Sequence, residues 1–280
     1  MANRLGVCSW SLQPKSPADL ARKVKEVGLS AVQLALDPLR RGEWPVDLTR
    51  ETLAAAGIEI RSGMMAMQGE DYSTLETIRR TGGVRPDKHW KANLAAAERN
   101  AAIANRLDVK LVSFHAGFIP ECDDDPQRGI MLERLRAIVD CFESHGVRVA
   151  FETGQETAET LESVLEQLGR GKSGANFDPA NIILYGMGDP IDALKRLAPF
   201  VRQIHVKDAR PTTAPGTWGT EAPVGDGAVD WTALFREVAQ ARLRCDLMIE
   251  REAGETHIAD IRLARKLVTR IATQEGVMVS

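Results

Sequence analysis

Along the chain, short apolar runs alternate with stretches whose apolar residues recur every three or four positions, the respective signatures of strand and helix. Leu5 to Trp10 is the first such run, followed by Leu20, Val24 and Val27 on one helix face that Gly28 ends. Ala31 to Leu36 repeats the strand signal, with a weakly periodic helix from about Val46 to Ala55 behind it, and Ile58 to Met64 is a third strand. From Met65 to Lys88 there are glycines, charges and no periodicity, which predicts a long loop of the kind that serves as a functional lid. Leu94, Ala97, Ala101 and Ala104 then mark a helix, and Lys110 to Phe114 is a fourth strand ending at His115.

The second half of the chain is more regular. The helix through Met131, Leu135, Ile138 and Phe142 follows an acidic loop from Gly117 to Gln127. Val147 to Glu152, Ser173 to Asp178, Phe200 to Asp208 and Asp246 to Glu250 are apolar runs that turn polar only at their C-terminal ends. Between them lie the helix ending at Gly169, a helix opened by the Asp189-Pro190 cap, and a helix carrying Trp231, Leu234, Phe235 and Val238. A Pro/Gly/Thr-rich loop from Ala209 to Gly227 precedes the last of these, and Ile261, Ala264, Val268 and Ile271 close the pattern. Eight strands alternating with eight helices predict an α/β protein with a parallel sheet, closed as a single (β/α)8 TIM barrel over residues 1–280.

In such a barrel the site lies at the C-terminal ends of the strands. Four consecutive strands each deliver one hard ligand there: Glu152, Asp178, His205 and Glu250. The first three follow one another at about one strand plus one helix, and the fourth comes somewhat later. Three carboxylates and one imidazole suit a divalent ion of intermediate hardness, with Mn²⁺, Mg²⁺ or Co²⁺ ahead of Zn²⁺ and of any thiolate-loving metal. Lys207 lies two residues past His205, so strand alternation turns it the same way, and Glu252 stands in the same relation to Glu250. Gln33 and Trp10, at the ends of the second and first strands, are candidate lining residues, although Trp10 fits a core position equally well. His115 is expected in the pocket and Trp218 in a lid or partner contact, whereas His89, His145 and His257 sit near helix ends, where capping explains them.

Composition narrows the partners. A chain of 280 residues, 44% hydrophobic and 27% charged, is that of an ordinary globular domain, and its net charge of −3 argues against a polyanion-binding surface. No apolar run approaches the ~18 residues of a membrane span. The start, Met1-Ala2-Asn3-Arg4, runs into a strand pattern without a signal-peptide h-region, so a cytoplasmic location is expected. Cys8, Cys122, Cys141 and Cys245 show no CxxC pairing and read as buried free thiols.

The motifs Phe151-Glu152-Thr153, Asn176-Phe177-Asp178, Ile204-His205-Val206-Lys207-Asp208, Gly225-Asp226-Gly227 and Ile249-Glu250 resemble those of the xylose-isomerase-like barrels over essentially the whole chain. That superfamily includes sugar isomerases and epimerases, hydroxypyruvate isomerase, inosose dehydratase and endonuclease IV. The resemblance implies that Glu152, Asp178, His205 and Glu250 ligate the metal, with Glu152 and Glu250 also serving as acid and base. It further implies carbohydrate metabolism on a small keto sugar or polyol-derived ketone, through an enediolate that a Lewis acid stabilises. There is one departure: many members carry His three residues after the ligand Asp, where this chain has Asn181, which can bond a substrate hydroxyl but cannot shuttle a proton. Isomerase or epimerase is the first expectation, and a lyase or dehydratase of the inosose dehydratase type the second. An endonuclease IV-like nuclease fits less well with only five histidines and −3 charge, and a barrel that has lost catalysis and only binds is the remaining class. The ligand set leaves homo-oligomer formation open.

Overall fold

The computed structural model describes residues 3–169, 171–214 and 216–280, so Met1 and Ala2 of the start and Pro215 of the second long loop lie outside it. Eight parallel strands close a barrel: β1 (Leu5–Cys8), β2 (Ala31–Ala35), β3 (Glu59–Met64), β4 (Leu111–Phe114), β5 (Arg148–Glu152), β6 (Ser173–Phe177), β7 (Val201–Val206) and β10 (Asp246–Ile249). Between the last two of these, β8 (Asp208–Arg210) and β9 (Thr220–Ala222) form a separate antiparallel hairpin. The barrel order is β1-β10-β7-β6-β5-β4-β3-β2, every pair parallel and sequential neighbours adjacent. Strands such as β1, β4 and β6 are buried along their whole length, which is why they read as continuous apolar runs rather than as alternation.

Helices cover the outside, each with its apolar stripe turned onto the strands. Leu20 and Val24 of the helix Pro17–Glu26 are fully buried, and Ser16 caps that helix by accepting from the Asp19 amide. No helix among the described residues is long and apolar enough to cross a membrane. All four cysteines are free thiols, but only Cys8 and Cys245 are buried as expected; Cys141 is half-buried and Cys122, on the loop after β4, is exposed.

Three local expectations are corrected. The first strand stops at Cys8, and Ser9–Leu12 turns as a 3₁₀ helix, so Trp10 rises to the rim instead of continuing the strand. The stretch Met65 to Lys88 is not all loop: Leu75–Thr81 is a helix closed at its start by a Thr74/Thr77 capping box, and the next helix, Asp87–Arg106, already begins inside it. A second unpredicted helix, Pro179–Tyr185, follows β6 directly and ends at Gly186, whose φ of 69° suits glycine. All three are a turn or two long, too short for hydrophobic periodicity to register.

The hairpin is pinned by Asp208, the last residue of the Lys207-Asp208 pair. Its carboxylate accepts from the amides of Gly225 (2.9 Å) and Val229 (3.1 Å) and from Trp231 Nε1 (3.0 Å). A Cβ at Gly227 would lie 2.0 Å from Asp208 Oδ1, so this turn requires glycine. Asp208 therefore holds the hairpin in place and does not enter the pocket.

Candidate metal centre and active site

The four sequence-predicted ligands meet at the C-terminal mouth. One ligand atom each from Glu152, Asp178, His205 and Glu250 lies within 4.8 Å of the others, all four residues being buried. His205 Nδ1 sits 2.9 Å from Glu250 Oε2 and 3.5 Å from both Glu152 Oε1 and Asp178 Oδ2. Glu152 ends β5 and His205 lies within β7, whereas Asp178 and Glu250 are the first residues beyond β6 and β10.

Local structure aims each group. Asp178 caps the helix Pro179–Tyr185, its Oδ1 accepting from the Asn181 amide at 2.9 Å, which leaves Oδ2 to face the cluster. Glu152 accepts from Asn181 Nδ2 (2.9 Å) and Asn176 Nδ2 (3.3 Å). Glu250 accepts at Oε1 from Trp10 Nε1 at 2.7 Å, and Lys207 Nζ stands 3.4 Å from its Oε2. Beneath the imidazole, Gln33 Nε2 donates to Ser113 Oγ (2.7 Å), so Gln33 Oε1 faces His205 Nε2, also at 2.7 Å. That bond puts a proton on Nε2 and turns the Nδ1 lone pair toward the carboxylates, the arrangement of a metal-ligating histidine. Asn176 Nδ2 lies 3.0 Å from the same Nε2, but the shorter glutamine bond fixes the tautomer.

These residues fit a cation. Asp178 Oδ2, His205 Nδ1 and Glu250 Oε2 are buried polar atoms without a hydrogen-bond partner among the described residues, and all three point at one spot. Leaving such groups unmatched costs ~1–3 kcal/mol each and more where charged. Burial alone would lower the His205 pKa, yet Cys8, Glu152 and Glu250 around it hold it well above the ordinary imidazole value. The spot therefore attracts positive charge, and a divalent ion would replace the proton there. Burial opposes ionisation of Glu152, but His115, His205 and Lys207 outweigh it and hold the carboxyl well below its usual range.

Above the cluster opens a cavity of about 760 Å³. Of the residues expected to bind substrate, His115, Asn181, Lys207 and Glu252 line it. His115 Nε2 is 3.5 Å from Glu152 Oε1, and Lys207 Nζ is 2.7 Å from Glu252 Oε2. Burial works against the Lys207 ammonium, but Glu250 and Glu252 keep its pKa well above the ordinary lysine value. Gln33 does not line the cavity: it is completely buried under His205 and reaches substrate only through that ring. Trp10 does line it. Among the other histidines, His145 is the C-cap residue of Pro126–Ser144, and His257 is buried with its ring nitrogens near the carbonyls of Ser11, Arg251 and Gly254.

Both long loops reach the mouth, the first through Glu70 and Tyr72, the second through Trp218 and Glu221. Glu70, Tyr72 and Tyr185 were not singled out in the sequence. Only Tyr185 carried a signal, since it lies one helical turn beyond Asn181 behind the Asp178-Pro179 cap. Burial raises the Glu70 pKa, with His115 opposing, and the Gly83 amide donates to its carboxylate. Glu156 was also missed; both its oxygens are buried without partners among the described residues, and burial, with Glu152 nearby, pushes its pKa up to about 8.

Residues 21–269 match the family model described as the xylose isomerase-like TIM barrel. A xylose isomerase domain protein from Planctomyces limnophilus has a similar solved structure, 30% identical, with a TM-score of 0.86 over 91% of this chain and 93% of that one. The structure of an L-ribulose 3-epimerase, 14% identical, aligns with a TM-score of 0.76 over 99% of this chain and 96% of its own, a likeness of fold. In sequence, the uncharacterized protein YihM of Escherichia coli (strain K12) is 27% identical over 143 residues, 50% of this chain. The chain spans less than half of that relative, 43% of its length.

Proposed function

The chain belongs to the xylose isomerase-like TIM barrel family, and from that premise we propose that it is a divalent-metal-dependent isomerase or epimerase of a small keto sugar or polyol-derived ketone. The observation that carries this reading is the pairing of two differently dressed carboxylates, Glu152 and Glu250, in one buried cluster under a cavity of sugar-binding size. A divalent ion held by Glu152, Asp178, His205 and Glu250 would supply Lewis-acid polarisation of a ketone oxygen. Manganese suits the three carboxylates and imidazole best, with magnesium, cobalt and zinc as the other candidates.

The chain's own groups then divide the proton work. Glu250, bonded through one oxygen to Trp10 and open at the other, takes the proton α to the ketone. Glu152, held at both oxygens by asparagine amides, returns it from the other side. Asn181 and Lys207 are placed to bond substrate hydroxyls, and Asn181 fixes position without moving a proton. His115 adjoins Glu152 and has a buried Nδ1 without a partner among the described residues. A group so placed favours one further reading, in which His115 protonates a departing β-hydroxyl and the same chemistry dehydrates. Residues 1–280 act as one domain in this account, in the cytoplasm.

The test is solvent exchange. The manganese-loaded protein, incubated in deuterated buffer with ketoses, inososes and keto-glycosides, should exchange an α-proton on one of them, read by proton NMR. The position of the deuterium separates isomerisation from epimerisation, and an enone product identifies dehydration. Absence of exchange across the panel would remove the reading.

A further inference from the structure

From the lining of the cavity we infer that the substrate is uncharged and carries a second ring beyond its reacting ketone, seated against Tyr185 and Trp218; this rests on the site proposed above. The first observation is charge. Asp37, Glu70, Glu221, Glu250 and Glu252 line the cavity, whereas Lys207 is the one ammonium or guanidinium among the described residues that does. That ammonium is already engaged by Glu250 at 3.4 Å and Glu252 at 2.7 Å. The guanidiniums that bond the lining carboxylates Asp37 and Glu221 are committed by those bonds, Arg40 to Asp37 (2.7 Å) and Arg251 to Glu221 (2.7 Å) and Asp260 (2.9 Å). Recognition of a phosphate or carboxylate calls for a free arginine fork, an unpaired lysine or a cluster of helix N-terminal amides. Asp37, Glu221 and Glu252 are neutralised by those same cations, so among the lining residues described a dianion would find no unpaired ammonium or guanidinium.

The second observation is shape. At about 760 Å³ the cavity falls in the ~300–1,000 Å³ range of pockets that enclose drug-sized ligands, more than one monosaccharide fills. Part of its wall is aromatic, with Trp10, Tyr72, Tyr185 and Trp218 among the lining residues. Tyr185 packs against Trp218 with ring centroids 5.0 Å apart and against Phe118 at 5.6 Å, so two neighbouring rings buttress it. Tyr185 stands on the helix that Asp178 caps and Trp218 on the loop between β8 and β9. Aromatic faces at a wet rim bind the C–H face of a pyranose or an aryl ring, and such contacts add affinity beyond the area they bury. A substrate whose ketone reaches Glu250 and whose second ring reaches Trp218 would contact both the carboxylate and the aromatic lining of the cavity.

Three ketoses with one common core test this. Isothermal titration of the manganese-loaded protein with D-fructose, isomaltulose, in which a glucosyl ring extends the same fructose, and fructose 6-phosphate compares a bare, a neutral two-ring and an anionic ligand. Isomaltulose is expected to bind roughly 3- to 10-fold tighter than fructose, and fructose 6-phosphate at least about tenfold weaker than fructose. In the Trp218→Ala protein, isomaltulose affinity should fall to that of fructose. The inference is overturned if the phosphate binds as well as fructose, if isomaltulose binds no tighter, if the variant leaves isomaltulose binding unchanged, or if none of the three binds. Proton exchange measured on the same samples separates the two claims. The expected order of binding with no exchange overturns the reaction proposed above and supports the substrate class; exchange with the reverse order overturns the class alone.

Discussion

On the arc formed by β5, β6, β7 and β10 each strand ends in an ionisable side chain, Glu152, Asp178, His205 and Glu250, whereas the arc from β1 to β4 presents Cys8, Gln33, Ser62 and Ser113. Both arcs are buried, yet only one carries charge. Its three carboxylates cannot all satisfy themselves with the hydrogen bonds on hand, and three polar atoms stay unmatched. On the neutral arc the donors and acceptors pair up: Ser113 takes a bond from Gln33, and Ser62 donates at 2.5 Å to Gln203, which in turn bonds Asn176. The neutral arc behaves as a frame that fixes the rotamer and tautomer of His205, and the charged arc as a cluster that could hold a cation.

The comparison breaks most directly at Glu250. Glu250→Gln keeps the side chain's size but has one oxygen to serve either Trp10 Nε1 or the cluster, and it removes the base, so α-proton exchange should fall ~10²–10⁴-fold with the fold unchanged. Metal content measured on the same protein separates loss of the base from loss of the ion. On the neutral arc, Gln33→Leu strands the His205 Nε2 proton and frees the ring to flip. Metal affinity, measured by titration, should drop roughly 10–100-fold while thermal unfolding changes far less. An unchanged affinity would mean that the frame does not control the socket.

How much of this was legible can be argued residue by residue. The four ligands stood out because each closes an apolar run with a polar group, and barrel geometry converts strand ends into one location. Gln33 was expected at the end of its strand but lies in the middle of β2, and whether an inward side chain faces up into the cavity or lies below the cluster depends on the stagger between neighbouring strands, which one sequence does not carry. The register shift between Val32 and Gln33 is the kind of local irregularity that decides it. Helices Leu75–Thr81 and Pro179–Tyr185 span too few turns to show a period, although Asp178-Pro179 repeats the Asp189-Pro190 cap that was read correctly. Glu70, Tyr72 and Tyr185 reach the mouth through tertiary packing, which local pattern does not encode.

Two smaller effects sharpen the contrast. Glu156 lies four residues past Glu152, a buried carboxyl outside the socket with no ion to meet it. Its folded pKa, about 8 against an ordinary 4.5, means that the native state binds a proton the unfolded chain has released between those values. Its contribution therefore lowers stability as pH rises from about 4.5 through about 8, and Glu156→Gln should flatten that slope. Melting temperatures at pH 5 and pH 9 check it: the variant should gain on the wild type at pH 9 and differ little at pH 5. Smallest of all, Ser62→Ala removes one bond of the neutral frame and should cost ~0.5–1.5 kcal/mol in denaturant unfolding, with metal affinity barely altered.

The central claim is that Glu152, Asp178, His205 and Glu250 form a metal socket, and a calorimetric titration of chelator-treated protein with manganese chloride tests it most directly. The account predicts one ion bound per chain, with binding abolished in an Asp178→Ala, His205→Ala double variant that still unfolds cooperatively. Wild-type protein that takes up no ion, or a double variant that binds as tightly as wild type, would contradict it.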